Sequence, residues 1–344
     1  VKDPTHIYTS TGPFNVSLTV TSNNGCINST SKNFTKVFAE PKADFSTVAD
    51  VCLGTAITLT DNSQSPGSTI TEWRWDYNND GTVDEIKTNG APFTYTFTTA
   101  GTYQVKLTIK SAAGCESVST TNVAIKTVNV NSVPTAAFTA VAPFCRNSAV
   151  TFSDQSVANS GVITQWTWNY GEGAPVIQAP TNGTVTHTYA TINSYTVTLQ
   201  VRTDKGCSSA VATQTIDIRP LPTAGFVVPE LCVTDANTPF TDTSSYPQGS
   251  IVAWDWNFGD INATPGNPNT STSQSPSHQF VMAGTYTVTQ TVTNNDGCKA
   301  SKPLTVAVNG GVITPRYTIT NSGALCSNQS ITLKESTYKN KPFI

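Results

Sequence analysis

Apolar side chains alternate with threonine and serine along short runs of this chain, as in Ile57-Thr58-Leu59-Thr60-Asp61 and Val150-Thr151-Phe152-Ser153-Asp154. Period-two alternation predicts strands with one buried face, and nowhere does a helical period persist for ten residues. Turn clusters such as Asn62-Ser63-Gln64-Ser65-Pro66-Gly67 separate the runs at the spacing of a β-sandwich. The pattern also returns on a longer scale. Gly12-Pro13-Phe14-Asn15-Val16-Ser17-Leu18 ends in Gly25-Cys26, and Gly101-Thr102-Tyr103-Gln104-Val105-Lys106-Leu107 ends in Gly114-Cys115. Tyr195-Thr196-Val197-Thr198-Leu199 leads to Gly206-Cys207, and Gly284-Thr285-Tyr286-Thr287-Val288 leads to Gly297-Cys298. Those four cysteines lie 89, 92 and 91 positions apart. So long a period predicts an array of whole small domains, not a solenoid.

Each repeat opens on a proline-led strand: Pro41-Lys42-Ala43-Asp44-Phe45, Pro134-Thr135-Ala136-Ala137-Phe138, Pro222-Thr223-Ala224-Gly225-Phe226 and Pro315-Arg316-Tyr317. A second, early cysteine follows soon after: Cys52, Cys145, Cys232 and Cys326. The expected organisation is a C-terminal half-domain at 1–39, whole domains at 40–131, 132–220 and 221–310, and an N-terminal half-domain at 311–344. Half a sandwich cannot bury its own core, so the chain reads as a segment of a longer protein. The joints around Ala39-Glu40, Val130-Asn131-Ser132 and Arg219-Pro220-Leu221 are short. Short joints with proline in or beside them favour a semi-rigid rod.

Composition narrows the function classes. Charged residues make up 12% of the 344 positions and the net charge is −3. That leaves no electrostatic basis for nucleic-acid binding or for attachment to anionic lipids. No apolar run reaches the length of a membrane span. Eight cysteines at fixed repeat positions, without CxxC or a histidine cluster, favour disulfides in an extracellular, oxidising setting over buried cytosolic thiols.

All six tryptophans fall in one recurring motif: Trp73-Arg74-Trp75-Asp76-Tyr77, Trp166-Thr167-Trp168-Asn169-Tyr170-Gly171 and Trp254-Asp255-Trp256-Asn257-Phe258-Gly259-Asp260. Tryptophans two apart on a strand face one side, so one of each pair is expected to fill the core and the other to cap its edge. A carbohydrate-stacking platform would need several exposed rings in one plane. Trp-x-Trp-Asx-Aro-Gly, then His/Tyr-x-Aro, then Gly-Thr-Tyr-x-Val-x-Leu resembles the PKD domain, an immunoglobulin-like β-sandwich. The likeness covers the three whole repeats and both fragments. With an early cysteine and a late Gly-Cys in each repeat, the array looks most like the giant surface proteins of gliding Bacteroidetes. That resemblance implies cell-surface adhesins exported by type IX secretion. PKD modules also stand beside catalytic domains in secreted hydrolases. Two positions depart from the pattern: after the second tryptophan stands Asp76 in one repeat but Asn169 and Asn257 in the others, and Gln290 stands where other repeats have Leu18, Leu107 and Leu199. The glutamine admits two readings. It is either a buried amide in need of partners or the mark of an exposed edge.

Candidate chemistry is sparse. His6, His187 and His278 each precede an aromatic by eight positions, and Tyr95 takes that place in the second repeat. Tyrosine can replace a structural histidine but not a general base, and one histidine per domain builds no triad. No G-x-S-x-G nucleophile and no acid/base carboxylate pair appears. Asp76-Tyr77-Asn78-Asn79-Asp80-Gly81-Thr82-Val83-Asp84 spaces oxygen donors like the first part of an EF-hand loop, making Asp76, Asn78, Asp80 and Asp84 candidate calcium ligands. Position twelve is Lys87, and the competing reading is a turn in which Asp and Asn bond their own backbone.

For the cysteines, the sandwich order A to G puts Cys52 at the end where the last strand leaves its domain, and Cys115 at the opposite end. At about 3.3 Å per residue those ends are roughly 30 Å apart, beyond the ~7 Å between Cα atoms that a disulfide tolerates. Head-to-tail stacking instead favours Cys52–Cys207 and Cys145–Cys298. Cys26, Cys115, Cys232 and Cys326 would then find partners outside the segment. Intradomain bridges and free thiols remain the alternatives.

The expectation is therefore an all-β chain of tandem PKD-like sandwiches in an extended rod. It would serve as the stalk or filament segment of a large secreted bacterial adhesin, for attachment or gliding, with no catalysis and no required cofactor. Its partners would be neighbouring repeats and surface polysaccharide or other envelope and filament proteins. The alternatives are accessory domains of a secreted hydrolase, or domains that themselves bind sugar.

Overall fold

The computed structural model describes residues 3–178, 183–233, 235, 238–310, 317–319, 330 and 332–335, and every regular element among them is a β-strand. None of them forms a helix long and apolar enough to cross a membrane.

In the repeat at 40–131 one sheet runs in the order Asp50–Cys52, Ala124–Asn131, Gly101–Ser111, Ile70–Asp76, Glu85–Lys87. The facing sheet holds Phe45–Ser46, Ile57–Asp61 and Phe93–Tyr95 in that order. The repeat at 221–310 has the same five-stranded order: Leu231–Cys232, Lys299–Asn309, Gly284–Asn294, Ile251–Asn257, Thr270–Ser271. In the repeat at 132–220 the corresponding sheet is Val176–Gln178, Ile163–Asn169, Ser194–Thr203, Ala212–Asp217, and a single parallel bridge from Cys145 to Arg219 replaces the edge strand. These are tandem immunoglobulin-like sandwiches. Pairing is antiparallel except at the early cysteine, where Cys52 lies parallel to Asn131 and Cys232 parallel to Asn309.

Each sandwich has its own core. One cluster takes its buried residues from Ala43 to Val130, the next from Val150 to Ile218, the third from Phe226 to Val308. At each centre the second tryptophan of the motif is 1% exposed or less (Trp75, Trp168, Trp256). Each meets the opening strand's phenylalanine edge-on, with centroids 5.0 Å apart for Phe45–Trp75 and Phe138–Trp168 and 4.9 Å for Phe226–Trp256. Edge-to-face pairs add to area burial because ring edge and ring face carry opposite charge. The first tryptophan sits nearer the rim. Trp73 is buried, whereas Trp166 and Trp254 are half-buried and donate Nε1–H to Asp154 (2.7 Å) and Asp242 (2.8 Å). The motif's glycine has a backbone reason. Gly259 has φ +65°, and a Cβ there would stand 2.5 Å from the Thr287 carbonyl oxygen.

Near the start of the chain, Phe14–Thr21 and Ile27–Phe34 form a hairpin whose Val16, Leu18 and Val20 stay exposed. Val105, Leu107 and Ile109, at the matching positions of the next repeat, lie against a facing sheet and are fully buried. Of residues 311–344, the described strands are the antiparallel pair Tyr317–Ile319 with Leu333–Glu335.

Gln290 is a buried amide with partners, not an exposed edge. It is 0% exposed, donates Nε2–H to Asp242 Oδ1 at 2.7 Å and accepts from Ser244 Oγ at 3.1 Å. Burial pushes the Asp242 carboxyl up, but hydrogen bonds from Ser244, Gln290 and Trp254 together outweigh it and hold the group below its ordinary value. A carboxyl whose folded pKa is depressed stabilises the fold fully above its unfolded pKa of about 3.9 and loses that contribution as pH falls through the folded value. Gln290→Leu copies the other repeats, yet it strips Asp242 and Ser244 of a partner. We expect a loss of about 1–3 kcal/mol in urea unfolding of the fourth repeat, and a weaker fall in stability below about pH 4 than in wild type.

Candidate functional site

The feature that each repeat rebuilds is the pair of cysteines at its two ends. The early cysteine pairs with the last residues before the joint: Cys52 with Asn131, Cys145 with Arg219, Cys232 with Asn309. The late cysteine closes the turn at the far end. Ser111, Thr203 and Asn294 donate their N–H groups to the carbonyls of Cys115, Cys207 and Cys298 at 2.9–3.0 Å. Gly114, Gly206 and Gly297 precede these cysteines with φ of +85°, +79° and +81°, the left-handed region that glycine enters without a Cβ penalty. The recurring Gly-Cys is therefore a turn that presents a thiol.

Cys52 bonds Cys207 with Cα atoms 5.5 Å apart, and Cys145 bonds Cys298 at 5.6 Å. Each bridge joins the exit end of one sandwich to the turn end of the next. Cys145, Cys207 and Cys298 are buried. Across the lower bridge, Gly297 packs on Pro143, which a Cβ at 297 would meet at 3.3 Å. At the joint between the second and third repeats, Ser160 Oγ donates to Asn131 Oδ1 at 3.1 Å. Cys26, Cys115 and Cys232 are free thiols, and Cys326 lies outside the described residues.

The other singled-out residues make their contacts within their own repeat. His187 stacks on Tyr170 (4.2 Å, 4°) and His278 on Phe258 (4.3 Å, 6°). Tyr95 stacks in the same way on Tyr77 at 3.6 Å. The ring, not the proton, is what the position keeps. His187 Nε2 faces Glu172 at 2.6 Å, and His278 Nε2 faces Asp260 at 3.1 Å inside the core. Histidine His6 packs edge-on against Tyr8 at 4.8 Å.

Asp76, Asn78, Asp80 and Asp84 do share one loop, but they accept from the loop's own backbone. Asp76 takes the N–H groups of Asp80 (3.2 Å) and Gly81 (3.0 Å), Asp80 takes Thr82 (2.7 Å), and Asp84 takes Tyr77 (2.6 Å). Asn78 Oδ1 accepts from Asp80 N–H, and its Nδ2 donates to Asp80 Oδ2. Those bonds to Thr82 and Asn78 draw the Asp80 carboxyl below its usual range. Among the described residues no three His, Cys, Asp or Glu side chains converge on a point that could hold a metal.

Asp76 is buried, so Asp76→Ala leaves the Gly81 N–H without its acceptor and the Asp80 N–H with Asn78 Oδ1 alone, and is expected to cost about 1–3 kcal/mol. The loss in urea unfolding should be the same in millimolar calcium and in chelator. A loss confined to calcium-containing buffer would make Asp76 a metal ligand instead.

Among solved structures, the chain is similar to the PKD1 domain of Vibrio anguillarum Epp, at 28% identity over 26% of this chain and 96% of that one (TM-score 0.22). It is also similar to the PKD1 domain of the Vibrio cholerae metalloprotease PrtV, at 30% identity over 25% and 96% (TM-score 0.22). The FN1–FN3 domains of chicken CNTN1 align at 11% identity over 78% and 98% (TM-score 0.32). The PKD domain family matches residues 38–125, 131–218 and 220–308, which take in the three cores except Val128 and Val130, the tryptophan motifs and both disulfides, and the chain belongs to that family.

Proposed function

We propose that this segment is a load-bearing spacer in a large secreted bacterial surface protein, an adhesin of the attachment or gliding type exported by type IX secretion. Its repeats hold a distal adhesive region away from the envelope and take up tension when the cell attaches or moves. The observation that supports this most directly is the covalent bond across each of two consecutive joints. A disulfide there fixes one sandwich against the next. Disulfides also belong to an oxidising compartment, in keeping with an extracellular setting. Long antiparallel ladders such as Gly101–Ser111 beside Ala124–Asn131 resist shear, because many hydrogen bonds must break together. The same rod could present its outer face to surface polysaccharide or to other filament proteins.

Antibodies raised against residues 40–310 are expected to label intact cells of the source bacterium. In-frame removal of residues 40–220 should shorten the projection and weaken attachment, with no change in secreted hydrolase activity. A fall in hydrolysis of polysaccharide or protein, with attachment intact, would make the repeats accessory domains of an enzyme.

A further inference from the structure

The two disulfides do more than clip neighbours together, because their loops interlock. One spans residues 52–207 and the other residues 145–298, so each begins inside or before the other and ends beyond its start. A covalent path from Cys26 can run to Cys52, cross the bridge to Cys207 and run on to Cys232. It uses the 26 positions from Cys26 to Cys52 and the 25 from Cys207 to Cys232, where the main chain needs 206. A second path runs from Cys115 to Cys145, crosses to Cys298 and continues to the end of the described strand at Asn309. Both use only the last strand of one repeat, the joint, and the opening segment of the next.

We propose that these paths are two staggered covalent rails, and that tension along the chain passes around the sandwich cores instead of through them. The segments Cys52 to Cys115, Cys145 to Cys207 and Cys232 to Cys298 carry the tryptophan motifs, the central strands and most of the buried aromatics, and they lie on neither rail. For a tether on Cys26 and Cys232, unfolding the stretch from Cys52 to Cys207 therefore adds no length, and for a tether from Cys115 to Asn309 unfolding the stretch from Cys145 to Cys298 adds none. The rails are also nearly taut. A central strand of ten or eleven residues makes each repeat about 35 Å long. From the turn end of the third repeat to the exit end of the fourth, in line, is then about 70 Å, against a limit of roughly 85 Å for the 25 positions between Cys207 and Cys232.

A second consequence is redundancy at the joints. Beside the peptide linker at Asn131–Ser132 runs the Cys52–Cys207 bond, and beside the linker at Arg219–Pro220 runs Cys145–Cys298. With both linkers cut, the three pieces still form one covalent body through the two bridges. The inference rests on the disulfide pairing and not on the surface-spacer reading, so either can fail without the other.

Two experiments test it. With Cys115→Ser, Cys326→Ser and thioether handles on the exposed Cys26 and Cys232, force spectroscopy without reductant should give a total contour of about 180 Å at 3.3–3.6 Å per residue. Reductant should lengthen it about fourfold, to roughly 700 Å. Full-length extension without reductant would overturn the rails. In the second, specific protease sites placed after Asn131 and after Arg219 are cut together. The chain should run as one band on a nonreducing gel and as three after reduction; separation without reductant would overturn the proposal.

Discussion

The length of one strand governs the arrangement. Gly101–Ser111, Ser194–Thr203 and Gly284–Asn294 each run the full height of their sandwich, so the thiol at the turn and the thiol beside the exit are about 30 Å apart in every repeat. No disulfide reaches across that gap. Stacking brings the exit of one sandwich against the turn of the next, and the partner that is too far within a domain becomes a neighbour between domains. Interlocking loops follow from the same fact. A bond that must always reach into the next repeat has to overlap the bond made by that repeat.

Inside this frame the sandwiches are free to differ. All three keep the edge-to-face contact of tryptophan on phenylalanine and the ring stacked on the motif's aromatic. The polar details around these are individual. The fourth repeat alone runs a buried network from Gln290 through Asp242 to Trp254, and it alone holds a histidine against a carboxylate with both side chains out of water. The third has the comparable histidine pair, His187 with Glu172, at the surface. The second uses tyrosine, with burial and the nearby Glu85 pushing the Tyr77 phenol well up. Three cores with no shared residue can drift separately while the joints stay alike.

Much of this was legible in the sequence because it depends on periodicity. Alternation places Leu59, Val105 and Leu107 inward, the tryptophan spacing puts both rings of a pair on one face, and the repeat length shows where each sandwich starts over. Contacts that depend on cross-sheet register were not legible. Trp166 meets Asp154 and Trp254 meets Asp242 twelve positions away, across a turn whose path no spacing rule supplies. Gln290 looked anomalous only because its partners lie outside its own sheet, 46 and 48 positions back. The Asp76–Asp84 stretch shows the opposite limit. Its spacing fits a calcium loop, but spacing does not say whether carboxylates point at an ion or at their own N–H groups, and here they take the N–H groups.

The distance between bonded partners also sets an order of events. Cys207 lies 155 positions after Cys52, so their bond can form only once that whole stretch has reached an oxidising compartment. Until the third repeat has closed its Gly206 turn, Cys52 has nothing of the right shape to oxidise against. Closure of each bridge thus waits on the turn that the following sandwich builds around its late cysteine.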